Sequence, residues 1–332
     1  MPIRKQEADD ILKLLNTAKR VVCITHRNPD GDAIGSLLGL GSILEKILEK
    51  QEVVFHCMDA APDTFKFLPG VLRIQKSVQY EEGDTFVFLD AAEPKLTGLD
   101  LEHPQLFNGT YKSIVIDHHP TNSKFGNVNI IEAKAASTCE IVVALADQLG
   151  WAIDSDTATC LLTGVYTDTG GLLHSNTTAT VYKTVARLLR SGARQQEIVQ
   201  AVFRTAQLST LKLWGRVLEK ITLTEEGGAI TAVTEGDFRA SGAHYSQLTG
   251  AIDYVNAVPG MCFSMILSER EGKVKGSLRT LRDDIDVSAM AGKFSGGGHK
   301  KAAGFSLPGK LQPEVRWKVV ESNDDKQLTT NN

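Results

Sequence analysis

The sequence predicts an α/β fold, a doubly wound, mainly parallel sheet joined to a smaller α+β domain. Three observations lead there. Short apolar runs, VVCIT at 21–25, VVFHCM at 53–58, TFVFLD at 85–90 and SIVIDHH at 113–119, are separated by stretches with helical patterning. Each run is nearly continuous rather than alternating, as strands covered on both faces require. Beyond about residue 222 the pattern changes to hairpin-like pairs, which marks a second domain built differently.

The elements follow in order. A charged helix precedes 21–25. Ile34, Leu37, Leu38, Leu44, Ile47 and Leu48 recur at helical spacing and put Asp32 at a helix start. Within HRNPDGD (26–32), Pro29, Asp30 and Gly31 are turn formers, and the plain reading makes Asp32 the cap of that helix. Helical patterns at about 137–149, 155–166 and 178–190 complete a first domain, residues 1–192. Residues 193–221, including RQQEIVQAVF and LSTLKLWGRVLEKI, read as a helical linker. The second domain, 222–312, holds ITLTEEGGAITAVT with its turn at Glu-Glu-Gly-Gly, MCFSMILSEREGKVKGSLRT with its turn at Glu-Gly-Lys, and the glycine cluster FSGGGHKKAAGF. Residues 313–332 are polar and poor in apolar side chains, so a disordered tail is expected.

Composition narrows the function classes. A chain of 332 residues exceeds the roughly 250–300 at which single cores stop growing, in keeping with two domains. With 42% hydrophobic residues, 23% charged and a net charge of −4, nothing supports a broad duplex-DNA surface, although a local phosphate site fits. Five scattered cysteines, Cys23, Cys57, Cys139, Cys160 and Cys262, read as free buried thiols of a reducing compartment. MPIRKQEADD has no apolar core of a leader, and no apolar stretch nears the roughly 18 residues of a membrane span. The expectation is a cytoplasmic protein with no membrane partner.

The acids and imidazoles carry the chemistry. His26, Asp90, Asp117, His118 and His119 fall at the C-terminal ends of predicted strands, the edge where open α/β sheets bind ligands. Asp30 and Asp32 open the first helix of the alternation, and Asp168 follows the helical LLTGVYT. Singly, each has a structural explanation as a cap or a satisfied core histidine. Together, Asp30, Asp32, Asp90 and Asp168 in one crevice would repel strongly, and two divalent cations would balance them. Oxygen-rich donors with imidazoles and no cysteine suit Mn²⁺ or Mg²⁺. A metal pair about 3.5–4 Å apart is an arrangement used for phosphoryl displacement. In the second domain, consecutive glycines before His299, Lys300 and Lys301 suit an anion cradle, and Arg279 on a strand with Ser277 suits a second phosphate.

HRNPDGDAIGS, the strand-end Asp90, DHH at 117–119 and TDTG at 167–170 resemble the four motifs of the DHH phosphoesterase superfamily, and GGGHKKAAGF at 296–305 resembles the signature of its DHHA1 domain. In order and spacing the chain is most similar to the nano-RNase and pAp-phosphatase branch, which degrades very short RNA and adenosine 3′,5′-bisphosphate. The resemblance implies that His26, Asp30 and Asp90 hold one metal, Mn²⁺ preferred with Mg²⁺ or Co²⁺ as substitutes. It implies that Asp32, Asp90, His118 and Asp168 hold the other, with Asp90 bridging. His119 would face the scissile phosphate and Asp117 would orient its neighbours. Ser277, Arg279, Gly296, Gly297, Gly298 and His299 would bind the nucleotide. Relatives often carry an aromatic residue soon after TDTG, whereas GGLLHSNTT places Leu172, Leu173 and His174 at that wall. A homodimer is compatible with this pattern. Other readings are a cyclic- or linear-dinucleotide phosphodiesterase, a RecJ-type single-strand exonuclease and an idle nucleotide-binding module. An inorganic pyrophosphatase fits less well because that relative lacks the GGGH motif.

Overall fold

The computed structural model describes residues 3–204 and 206–314. They form two compact units that divide between Thr205 and Ala206. In the first, α1 (Lys5–Thr17), β1 (Arg20–Thr25), α2 (Gly31–Ile47) and β2 (Glu52–His56) are followed by β3 (Asp84–Leu89), α3 (Pro94–Thr97), β4 (Lys112–Asp117) and β5 (Val128–Ile131). Helices α4 (Thr138–Leu149), α5 (Ser155–Asp168), α6 (Ala179–Arg190) and α7 (Gln195–Ile198) complete it. The sheet order is β2-β1-β3-β4-β5, and every pairing is parallel. Strand β5, VNII, is an edge strand of four residues that the apolar-run pattern does not reveal.

The two faces of this sheet are covered unequally. Val21, Cys23, Phe55, Val87, Leu89, Ile114 and Ile116 point into a core shared with α1, α2, α4, α5 and α6. Val22, Ile24, Val54, Phe86, Phe88 and Val115 face a second core closed by loop residues such as Leu99, Leu106, Phe107 and Phe125. Aromatic rings replace a long helix there: Phe88 meets Phe107 at 5.3 Å and Phe125 at 5.1 Å between centroids. Burial on both faces accounts for the unbroken TFVFL, each phenylalanine contributing about 1.5–3 kcal/mol.

Helices α2 and α5 lie antiparallel and unusually close because α2 turns a glycine stripe toward its neighbour. A Cβ on Gly35 would fall 2.5 Å from the Cys160 carbonyl oxygen, and one on Gly39 would fall 2.4 Å from Leu161 Cδ2. One on Gly31 would meet Thr167 at 2.4 Å. This contact sets the first residues of α2 beside the last residues of α5.

The second unit holds α8 (Leu208–Glu219), β6 (Thr222–Leu223), β7 (Gly228–Val233), α9 (Glu235–Ser241), α10 (Ala251–Asn256), β8 (Phe263–Arg270), β9 (Lys273–Arg279), α11 (Val287–Gly292), β10 (Gly297–His299) and β11 (Ala302–Pro308). Its sheet runs β10-β11-β9-β8-β7-β6. Both anticipated hairpins form, the second through Glu271 and Gly272 at φ +51° and +73°, the left-handed pair that a two-residue hairpin turn requires. Strands β7 and β8 pair in parallel, because α9 and α10 form a crossover between them. One face packs on α8 and α10 through Leu213, Val217, Ile252 and Val255, and the other on α11 through Val287 and Ala291.

The stretch 193–221 is shared between the units: Ile198 packs in the first core, and Leu213 and Val217 pack in the second. The tail expected at 313–332 lies outside the described residues apart from 313 and 314. Cys23, Cys57, Cys139 and Cys160 are buried free thiols, whereas Cys262 is partly exposed. Burial pushes Cys23 and Cys160 up to about 12 and Cys57 up to about 11, so these thiols are inert. Among the described residues no helix is long and apolar enough to cross a membrane.

Candidate active site

Parallel pairing aligns the ends of β1, β3 and β4, and His26, Asp90 and Asp117–His119 emerge side by side at that edge. The Thr25 hydroxyl donates to the Leu89 carbonyl at 2.9 Å and ties two of these ends together. Asp90 takes φ +56°, a left-handed conformation that aspartate tolerates better than most side chains. Its amide donates to the Ile116 carbonyl at 3.1 Å.

Its carboxylate is the hub of the cluster. His26 Nε2 lies 3.5 Å from Asp90 Oδ2, and His118 Nε2 lies 3.6 Å from Asp90 Oδ1. His118 Nε2 is also 3.3 Å from Asp168 Oδ2. Donor atoms of His26, Asp30 and Asp90 lie within 4.8 Å of one another, and so do those of Asp32, His118 and Asp168. Both groupings are therefore geometrically able to surround a cation.

The helix cap differs from the plain reading. Asp30, not Asp32, caps α2, its Oδ1 accepting from the Asp32 and Ala33 amides at 3.0 Å each. Asp32 lies one residue inside the helix, where its side chain turns inward and is fully buried. Both of its oxygens are held by the start of α4: the Thr138 amide donates to Oδ2 at 2.6 Å and the Cys139 amide to Oδ1 at 2.9 Å. The Thr138 hydroxyl donates to Asp90 Oδ1 at 3.0 Å. Thus one helix N-terminus grips two of the four acids, an anion site by virtue of its unpaired amides.

Sequence reasoning missed Thr138. The signal was present in STCE at 137–140, an N-cap serine with glutamate three residues on, and the Ser137 hydroxyl does accept from the Glu140 amide at 3.1 Å. It also missed Asn122, which donates to Asp117 Oδ2 at 2.6 Å and to the Ala91 carbonyl at 3.1 Å.

Asp117 and His119 pair at the edge of the same cluster, His119 Nδ1 lying 3.7 Å from Asp90 Oδ1. Asp117 Oδ1 lies 2.7 Å from His119 Nδ1, and it also accepts from the His118 amide at 2.8 Å. Asp117 is fully buried while the His119 ring is 44% exposed, so Nε2 of His119 is its outward atom. The Asp117 hydrogen bond raises the His119 imidazole above its ordinary range against the opposing effect of burial. Burial would push Asp117 up, but the bonds from His119 and Asn122 prevail and hold it low. Burial likewise pushes His26 down, yet its bonds to Asp90 and the Arg27 carbonyl carry it up to about 9.

The carboxylates themselves are frustrated. Burial, then the charges of Asp32, Asp30 and Asp90, push Asp168 far above the usual range, and burial with Asp90 does the same to Asp32. Asp168 is also the last residue of α5, where the helix dipole disfavours an anion. Among the described residues no lysine or arginine pairs with Asp30, Asp32, Asp90 or Asp168. A hard-oxygen set with imidazoles, more carboxylates than cationic partners and no lysine or arginine fits divalent metal ions. The wall after Asp168 consists of Gly170, Gly171 and Leu172, all at positive φ, with Leu172 turned onto the core and Leu173 87% exposed. The His174 ring sits 3.2 Å from the Asp168 carbonyl.

In the second unit the register gathers the remaining residues. Arg279 pairs with Ala302 and Ala302 with His299, while Ser277 pairs with Gly304 and Gly304 with Gly297. Cross-strand partners share a face, so Arg279, Ser277 and His299 rise beside a floor of glycine and alanine. A Cβ on Gly296 would lie 2.3 Å from the Gly304 carbonyl oxygen, so this crossing of strands needs glycine. Gly298 sits at φ +144° and a Cβ there would lie 2.5 Å from the Ala302 carbonyl.

Residues 20–165 match the DHH family, N-terminal domain, and residues 227–322 match the DHHA1 domain. The chain is 35% identical over 301 residues to the bifunctional oligoribonuclease and PAP phosphatase NrnA of Thermus thermophilus, covering 90% of this chain and 87% of that one. It is 23% identical to the protein of the same name from Bacillus subtilis, covering 90% and 92%. Among solved structures, an exopolyphosphatase-related protein from Bacteroides fragilis superposes with a TM-score of 0.82 at 28% identity, each chain covered to 93%. The acids at the sheet edge and the glycine-floored strand face thus have a common origin: the chain belongs to the DHH/DHHA1 phosphoesterase superfamily, in the branch of the bifunctional oligoribonucleases and PAP phosphatases.

Proposed function

We propose that this protein is a Mn²⁺-dependent phosphoesterase that releases 5′-mononucleotides from oligoribonucleotides a few units long and removes the 3′-phosphate of adenosine 3′,5′-bisphosphate. The observation that carries the reading is the convergence of four aspartates, none of them paired with a lysine or arginine among the described residues, and two imidazoles on one sheet edge. The names of the relatives at 35% and 23% identity supply the substrate class.

His26, Asp30 and Asp90 would hold one metal, and Asp32, Asp90, His118 and Asp168 the second. When bound, the ion pair supplies an activated water and neutralises charge on the phosphate oxygens. Asp32, whose two oxygens each accept one backbone amide, would still have lone pairs to offer a metal. Asp90, fixed by Thr138, keeps both oxygens aimed into the cluster. Asp117 accepts from Nδ1 of His119 and favours the imidazolium, whose Nε2–H would then donate to the scissile phosphate and stabilise charge developing there. Asn122 fixes Asp117 in turn. In the second unit, Arg279 forks onto a phosphate, Ser277 donates to it, and Gly296–His299 lets backbone amides and an imidazole approach the nucleotide.

The test is Mn²⁺-dependent turnover of the dinucleotide pApA, adenosine 3′,5′-bisphosphate and cyclic di-AMP at equal concentration, with Asp168→Ala as the blank. Loss of the first two substrates, abolished in the blank, is the expected result. Cleavage of cyclic di-AMP alone would keep the metal centre and overturn the substrate assignment.

A further inference from the structure

We propose that the second unit carries a further nucleotide subsite beyond Arg279, formed by Tyr245, Arg270 and Lys275, which engages the third and later residues of an oligoribonucleotide. The proposal rests on the phosphoesterase reading and deepens it.

A cavity of about 400 Å³ lies wholly within the second unit, and Tyr245, Asp253, Arg270, Lys275, Ser277 and Arg279 are among its lining residues. Its floor is one face of two strands. Alternation along β9 sends Lys275, Ser277 and Arg279 to that face, and the register with β8 adds Ile266, Ser268 and the distal Arg270. Lys275 and Arg279 stand four residues apart, roughly 13 Å at about 3.3 Å per residue. That is farther than adjacent phosphates of one strand lie, so the groove is longer than a single nucleotide needs.

The far end has the composition of a nucleotide site. The Arg270 guanidinium lies 4.7 Å above the Tyr245 ring, and Tyr245 is braced by Phe238 at 4.5 Å between centroids. A supported aromatic ring beneath a planar cation offers a stacking platform for a base of any identity. Among the described residues no carboxylate pairs with Lys275, and Arg270 meets only its exposed neighbour Glu271, at 3.6 Å. Both cations are thus available to backbone phosphates. Asp253, without a cation at pairing distance among the described residues, offers the acceptor that a ribose hydroxyl requires. A merely solvated basic face would need neither the braced ring nor the cavity.

On this proposal a substrate of two nucleotides engages the acids and Arg279 alone, so its turnover should be independent of Tyr245, Arg270 and Lys275. The experiment compares the full chain with Arg270→Ala/Lys275→Ala, two exposed positions, with the melting temperature of both proteins measured alongside. Values of kcat/KM are measured on adenosine 3′,5′-bisphosphate, a dinucleotide and a tetranucleotide. The expected result is a fall of about tenfold on the tetranucleotide, carried by KM, with the two short substrates within about twofold of wild type. A fall of equal size on all three substrates, or none on any, overturns the proposal. Anisotropy of a labelled, phosphorothioate-linked tetraribonucleotide bound to the Mn²⁺-loaded chain gives a second readout. There the double variant should weaken tetramer binding and leave dimer binding intact, whether or not wild type turns over the short substrates. Unchanged tetramer affinity would overturn the subsite, whereas a wild type inert on every substrate would overturn only the parent reading.

Discussion

At the scale of single residues, Thr138 links the acids most directly. Its hydroxyl holds Asp90 and its amide holds Asp32, so a substitution that keeps the amide and removes the hydroxyl separates the two contributions. Thr138→Val is expected to weaken Mn²⁺ binding about tenfold, equivalent to one buried charge-assisted hydrogen bond of about 1.5 kcal/mol. Thr138→Ser should restore it, as read by electron paramagnetic resonance of free Mn²⁺. Equal affinity in the valine variant would show that Asp90 is held by its backbone and by His26 and His118 without Thr138. The acids and histidines were legible in the sequence because each sits where an apolar run stops. Thr138 was not, because an N-terminal helix residue looks the same whether its amides meet water or a carboxylate 106 positions away.

At the scale of elements, the α2–α5 contact decides where Asp32 and Asp168 meet. Gly35→Ala inserts a methyl group 2.5 Å from the Cys160 carbonyl, a rigid neighbour. Overpacking of this kind costs about 1–3 kcal/mol, and urea denaturation should show it together with a loss of Mn²⁺ affinity. Retained stability would mean that the helices slide apart freely. The stripe of Gly31, Gly35 and Gly39 was visible in GDAIGSLLGLG as four-residue spacing, but spacing alone does not name the helix it faces. The base of the same pair is secured differently. Asp154 caps α5 and bonds Lys46 of α2 at 2.6 Å. Burial pushes Asp154 up, but the bonds from Lys46 and Thr157 prevail and bring it down to about 2. A depressed carboxylate adds stability that is full above its unfolded value near 4 and disappears as pH falls toward 2. Both side chains are about half exposed, so solvent screening limits the Lys46 contribution to less than about 1 kcal/mol. Lys46→Met should therefore lose that small increment at pH 6 and match wild type at pH 2, as followed by thermal unfolding. A constant difference across that range would assign the effect to packing.

At the scale of the molecule, all the candidate metal ligands belong to the first unit and the glycine-floored face to the second, each with its own core. Trp151 reports on the first unit, and Trp214, bonded to the Gln247 carbonyl at 2.8 Å, reports on the second. Saturating Mn²⁺ should raise the unfolding midpoint read from Trp151 and leave that read from Trp214 unchanged, in variants keeping one of the two with Trp317 replaced. A shift of both together would show that the units unfold as one. The alternation of runs and helices made the first unit readable as an α/β sheet. The second was harder, because a parallel pair inside a largely antiparallel sheet leaves no mark in a hairpin pattern.

The grip of α4 on Asp32 also has a meaning in time. The four acids leave the ribosome at positions 30, 32, 90 and 168, and the amides that hold Asp32 arrive at 138 and 139. A chain that lacks α5 lacks Asp168, so the full set of four acids exists only in a nearly complete unit. Refolding rates should then be indifferent to Mn²⁺, while unfolding slows as it is added.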